Sequence, residues 1–515
     1  MTNDPTAVDA VTATTLTSSE PDPRRWWSLA VIAVAQLMIV LDASVVIVAL
    51  PSAQRALHIS TADRQWVLSA YTLAFGSLLL LGGRIADYLG RRRMFIVGLI
   101  GFGAASALGG LAQDSAMLFG ARALQGAFAA VMAPASLSLL TTTFTAVQER
   151  ARAFGIYGAI AGGGAAIGLV LGGTLTQWAS WRWTLLINAP IAVLAVVGAM
   201  RFIKESRVHE RAGYDIPGAV TVTGGFFLLV YGFTMAGTDG WTAPLTLGLL
   251  AGAATALCAF IVIELRSAQP LLPMRVVLDR NRGGSYLASL LVGSALLGTF
   301  LFLTYFLQES LGYSVLKTGF AFLPFSGGII VGAGVATRLL PRIGPRALMV
   351  VGLLFAAGGL LWFTGLSVHS TYLAHVLPPQ LLVSLGMGMT FVPMSSTALV
   401  GVDPTDAGVA SALVNTTQQV GGSLGTALLN TVASAAAASY LSAHVRAGRA
   451  AFQVAAVHGY TTAFTVSAAL LAAAALAAAV LVRASRHHVL REIVIGEPTR
   501  SSSELIAAAE SVVST

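Results

Sequence analysis

Charge is what this chain of 515 residues has least of: Asp, Glu, Lys and Arg make up 10% of it, against about 25% in ordinary soluble domains. Cysteine occurs once, as Cys258, so no internal disulfide can staple the fold. Lysine occurs only at 204 and 317, and this preference for Arg hints at a GC-rich bacterial genome. Residues 1–23 carry no basic segment ahead of a short apolar core, so a cleavable signal peptide is not expected. There is no Gly-x-x-x-x-Gly-Lys-Ser/Thr loop, which argues against an ATP-driven pump. No Ser/His/Asp or metal-ligand cluster appears, and the eight histidines are expected in loops or tails. Catalytic residues, a metal and a cofactor are therefore not expected, and neither is an enzyme.

What is abundant is apolar. Hydrophobic residues make up 56% of the chain, glycine adds 54 more, and the mean hydropathy is +0.78. A bilayer-spanning helix takes about 20 such residues. The apolar runs are near-continuous rather than alternating, which selects helices over an outer-membrane barrel. Counting runs between turn and charge clusters predicts an all-α integral membrane protein with 14 transmembrane helices, starting near residues 28, 65, 94, 116, 153, 184, 216, 244, 283, 318, 347, 377, 408 and 459. The first, from Trp27 to Leu50, reads as an uncleaved signal anchor.

An even count puts both termini on one side, and basic residues choose the side. Twenty-three of the thirty fall on the side of the N-terminus; Arg55, Arg64, Arg182, Lys317, Arg446 and Arg449 fall opposite, and Arg122 lies inside a span. Both termini are thus expected in the cytoplasm. The same distribution accounts for the net charge of +8 without a nucleic-acid partner.

Three anchors recur between span n and span n + 8. Gly155, Gly168 and Gly172 reappear as Gly408, Gly421 and Gly425; Gly90-Arg91 as Gly344 with Arg346; and Pro134-Ala-Ser as Pro393-Met-Ser. Internal repeats are common in transporters. They predict two six-helix bundles with two inserted central helices: a tail (1–25), an N-terminal bundle (26–203), the inserted pair (204–264), a C-terminal bundle (265–483) and a second tail (484–515).

Two charges interrupt the apolar spans. Asp42 and Arg122 fall at similar depths, about 12 and 9 Å from the same end at about 1.5 Å per residue, and an intramembrane charge is costly unless partnered. They are expected to share one cavity and to couple proton and cation binding, with a static packing pair as the plainer alternative. Gly83, Asp87, Gly90, Arg91 and Arg92 form a tight turn after span two, read as a conformational latch. Gly155, Gly164, Gly168, Gly172 and Gly173 strip one face of span five, read as interbundle helix packing. Tyr71, Gln125, Tyr305, Gln308, Asn415 and Gln419 are candidates for a substrate cavity; those of spans nine and thirteen fit interhelical hydrogen bonding equally well.

These residues resemble the major facilitator superfamily, specifically its fourteen-span drug:proton antiporters, over about residues 25–485. The resemblance rests on Leu41-Asp42-Ala-Ser-Val-Val-Ile-Val-Ala-Leu-Pro51, Trp66-Val-Leu-Ser-Ala-Tyr71, residues 83–92, Arg122-Ala-Leu-Gln125-Gly126, Trp181 to Pro190, Tyr305 to Gln308 with Gly312 and Gly319 to Pro324, and residues 407–427. It departs from the family pattern at Ile47, Tyr88, Phe128 and Leu169. It implies efflux of lipophilic, often cationic, drugs or antibiotics driven by the proton gradient, from a monomer in the bacterial cytoplasmic membrane. Proton coupling would fall to Asp42 and Arg122, and the loop motif with Asp87 would stabilise one closed state. A substrate-specific exporter or uptake carrier for a small metabolite, and a non-transporting membrane sensor, remain alternatives.

Overall fold

The computed structural model describes residues 24–144, 147–205, 215–267, 270–272, 274–402, 407–444 and 448–484; both expected tails lie largely outside them. Every regular element described is helical. The first half runs α1 (Arg25–Ala56), α2 (Trp66–Leu89), α3 (Arg91–Gly110), α4 (Ser115–Thr143), α5 (Val147–Trp178), the single turn α6 (Trp183–Leu186) and α7 (Asn188–Phe202). Two central helices follow, α8 (Ile216–Thr238) and α9 (Pro244–Arg266), and then the short α10 (Met274–Val277). The second half comprises α11 (Arg280–Tyr305), which continues as a π turn Phe306–Ser310, then α12 (Val315–Ala321), α13 (Leu323–Phe363), α14 (Leu377–Leu399), α15 (Ala407–Ala443) and α16 (Gly448–Leu481).

The helix starts follow local chemistry. Asp114, Asp215, Asp279 and Ser314 each accept backbone N–H bonds from the first turn that follows, satisfying donors a helix N-terminus would otherwise leave bare. Gly90 joins α2 to α3 with φ +110°, a conformation that only glycine adopts freely. Gly344, with φ +80°, breaks α13 just before Pro345. Among the described residues eleven helical runs are long and apolar enough to cross a membrane; one of them, Val315–Phe363, is the 49-residue run containing that break. A shorter apolar stretch, Trp66–Leu79, opens α2.

Within the first half, α1 packs on α5 and α7, α2 on α4, and α3 on α4 and α7. In the second, α11 packs on α15 and α16, and α13 on α14 and α16. The halves meet along α2–α15 and α5–α12, and α8 lies against both α2 and α15. At the end where α1 finishes and α2 begins, one apolar core runs across the halves: Val48, Leu50 and Leu57 share it with Phe302, Leu307 and Phe322. The core near the α2–α3 turn contains first-half residues only, among them Phe95, Phe102, Met132 and Leu140.

Candidate functional site: a buried charge cluster in the first half

Five helices deliver polar groups to one point inside the first half. Asp42 on α1 and Arg122 on α4 form an ion pair of 2.6 Å with both side chains essentially inaccessible. Gln125, one turn after Arg122, closes the ring: its amide donates to Asp42 Oδ1 at 2.9 Å and to Ser106 Oγ on α3, and its Oε1 accepts from Arg122 Nη1 at 2.9 Å. Asn188, the first residue of α7, donates from Nδ2 to Asp42 Oδ1 at 3.0 Å. Arg122 Nε donates to the Val67 carbonyl at 2.9 Å, and its guanidinium lies 4.5 Å from the Tyr71 ring centroid.

This geometry has a backbone cause. A Cβ at Gly126 would collide with the Tyr71 carbonyl, so the glycine lets α4 lie directly on α2 and brings Arg122 over Tyr71. The resulting cluster is fully desolvated, which makes the pairing strong and the loss of any member expensive. Asp42 accepts from three donors, Arg122, Gln125 and Asn188. Arg122 has two further acceptors, Val67 O and Gln125 Oε1, that do not depend on the carboxylate.

The six cavity candidates divide among three places. Tyr71 and Gln125 belong to the charge cluster. Tyr305 and Gln308 lie on the seam between the halves: the Tyr305 hydroxyl donates to Gln54 Oε1, and Gln308 Nε2 donates to the Val48 carbonyl at 2.9 Å. Asn415 is exposed and Gln419 partly so, one turn apart on α15, with Gln419 facing Gly76 of α2.

The glycine stripe is also divided, and here the expectation of interbundle packing needs correction. Gly164, Gly168 and Gly172 face Val40, Ser44 and Val45 of α1, inside the first half. Only Gly173 meets the second half, where an added Cβ would lie 2.8 Å from Leu316 Cα; Gly319 returns the contact against Leu169. The surroundings of Gly155 lie outside the described residues. In the second half Gly421 and Gly425 face Leu290 and Ser294 of α11 in the same manner.

In the turn after α2, Gly83 faces Pro134, and Arg92 grips the end of α7, donating to the carbonyls of Ala199 at 3.3 Å and Met200 at 2.7 Å. Its backbone N–H donates to Glu205 Oε1. Arg91 has a partner of its own, and the Asp87 side chain lies outside the described residues. Arg84 reaches the Pro270 carbonyl at 3.1 Å, tying the turn to the segment that follows α9.

Two buried polar residues are not legible in the sequence. Asn188 looked like part of a motif, with no sign that it bonds Asp42. Arg64, counted as a loop cation, is 5% exposed and held by the second half, with Nε donating to Asn430 Oδ1 at 3.2 Å.

The comparisons with known proteins agree with this fold. Residues 32–426 match the model of the Major Facilitator Superfamily, and the chain belongs to that family. It is 50% identical over 467 residues to the puromycin resistance protein pur8 of Streptomyces alboniger, covering 90% of this chain and 92% of that one. It is 42% identical over 402 residues to the cephamycin export protein CmcT of Amycolatopsis lactamdurans, covering 77% and 83%. Among solved structures, a bacterial homologue of the human lysosomal transporter Spinster, in an inward-facing and unoccupied conformation, superposes with a TM-score of 0.63 at 16% identity, over 92% of this chain and 98% of that chain. The chain is thus a multi-pass membrane transporter rather than an enzyme, and these named relatives are antibiotic resistance and export proteins.

Proposed function

We propose that this transporter exports a lipophilic, positively chargeable antibiotic from the cytoplasm in exchange for protons, by alternating access. The carrying observation is the Asp42–Arg122 pair, a desolvated carboxylate whose partner keeps other acceptors when a proton arrives. The names of the relatives support an antibiotic as cargo. In the cycle, ionised Asp42 holds the cluster together, and its protonation releases Asp42 from Arg122 and loosens α1 from α4. Asn188 and Gln125 hold the carboxylate in place through hydrogen bonds to its Oδ1.

The working architecture is fourteen spans, which the eleven apolar runs become once Val315–Phe363 is divided at Gly344 and α2 and α5 are counted. Two six-helix bundles (26–203 and 265–483) flank the inserted pair (204–264), a division supported by the matching order of helix pairs in each half. Both termini face the cytoplasm, as the basic residues indicate. The cross-half core then lies at the outer end, so the conformation described is closed outward. The protein works as a monomer, with the proton gradient as its energy source and no cofactor.

The test is dye uptake into everted vesicles under an acid-inside gradient. Gradient-dependent uptake by the unmodified protein and its loss in Asp42→Asn are expected; uptake that ignores collapse of the gradient would rule out exchange.

A further inference from the structure

Arg64 is a buried cation whose surroundings come from the opposite half. Its guanidinium carbon lies 4.2 Å from the Tyr305 ring centroid and 5.8 Å from that of Phe302. Tyr460 of α16 stacks on Phe302 at 5.7 Å and donates its hydroxyl to Glu309 Oε2 at 3.5 Å. Glu309 is exposed at the rim, and the cations that act on it are Arg64 first and then Arg55; the titratable neighbours are Tyr305 and Tyr460. Three aromatic rings and a carboxylate around a guanidinium are the ingredients by which proteins bind organic cations. All four groups belong to α11, its π turn or α16. The cation alone belongs to the first half.

The cage and its occupant therefore separate when the halves part at this end. We propose that Phe302, Tyr305, Tyr460 and Glu309 form an exit-side site for organic cations, which Arg64 fills when the outer end closes. This rests on the export reading above. Opening withdraws Arg64 with α2 and leaves the rings and Glu309 facing the outer medium, ready to take a departing cationic cargo. Closure returns Arg64, anchored by Asn430, whose Nδ2 donates to the Thr61 and Ala62 carbonyls of the same connection at 3.1 and 3.2 Å. The returning guanidinium expels the cargo outward, because cage and guanidinium are complementary and two cations cannot share it. Arg64 is thus a built-in competitor that makes the last step of export one-way.

The experiment is equilibrium binding of radiolabelled tetraphenylphosphonium to the purified full-length protein, in an Asp42→Asn background that silences the central carboxylate. Arg64→Gln is expected to tighten binding about fivefold, the scale of one cation–π contact. Adding Tyr305→Leu or Glu309→Gln to that variant is expected to abolish the gain. Asn430→Ala, which keeps the guanidinium and removes its acceptor, is the second variant, expected to give a smaller rise of about twofold, as for one hydrogen bond of modest net worth. No rise in either variant, or a rise that survives Tyr305→Leu, overturns the cage. Proton-driven dye uptake by the unmodified protein is scored separately: its absence overturns the export reading, and the cage stands or falls on binding alone.

Discussion

Asp42 is held by three donors from two helices, Arg122 and Gln125 of α4 and Asn188 of α7, and removing Arg122 has a different consequence from removing Asn188. Arg122→Ala leaves a buried carboxylate with no counter-charge, and truncating one partner of such a pair costs about 3–5 kcal/mol. The double variant Asp42→Asn/Arg122→Gln is expected to melt at a higher temperature in detergent than Arg122→Ala alone, because it buries no lone charge. Equal melting temperatures would show that the pair is not desolvated. Asn188→Ala removes one hydrogen bond to the carboxylate and leaves the ion pair in place, so it is expected to lower the melting temperature less than Arg122→Ala does. The Asp42–Arg122 pair was legible in the sequence because each residue interrupts an apolar run at a matching depth. Asn188 and Arg64 were not, because each lies beside a span end, where polar residues ordinarily meet water. Only the packing of a distant segment makes them interior.

At the scale of helices, starts beside a clear turn were readable closely, as at Gly90 and Asp114, because turn residues are local signals, whereas the start of α16 at Gly448 lies eleven residues before the expected 459. The partners of the glycine stripe were not readable, because a bare face records that something approaches and leaves the identity of the neighbour open. The structure assigns Gly168 and Gly172 to α1 and Gly173 to α12, and the two roles are separable. Gly172→Leu should unseat α5 from α1 and destabilise the first half by roughly 1–3 kcal/mol through overpacking, read as a lower melting temperature. Gly173→Leu should leave the first half intact and weaken the seam, read as faster labelling of a cysteine placed at Leu316. A second tie joins α1 to α5 at the opposite end: Arg25 and Glu149 pair at 2.6 Å. The Arg25 hydrogen bond holds the Glu149 carboxyl below the usual range against the opposing effect of desolvation. A lowered folded pKa means that this tie stabilises at neutral pH and is lost as the pH falls through that lowered value. Hydrogen exchange in the first turn of α5 should accordingly rise on acidification, and Glu149→Gln should remove the response.

For the molecule as a whole, the two ends are built differently, and that difference is what makes it a carrier. One end is closed by a core shared between the halves and by contacts that reach across it: Arg64 to Asn430, Gln308 to the Val48 carbonyl, Ser423 to the Ser69 carbonyl. The inserted helix α8 braces the same end from both sides, accepting from Gln65 at the Thr234 hydroxyl and from Thr431 at the Phe233 carbonyl. The seam closes one end, and the Asp42 cluster lies in the first half, joining α1 to α4. The most direct test of this account is the initial rate of cationic dye uptake into everted vesicles, compared between the unmodified protein and Asp42→Asn with and without an acid-inside gradient. The account predicts that the gradient accelerates the unmodified protein and leaves Asp42→Asn at its no-gradient rate. Equal acceleration of both would contradict it.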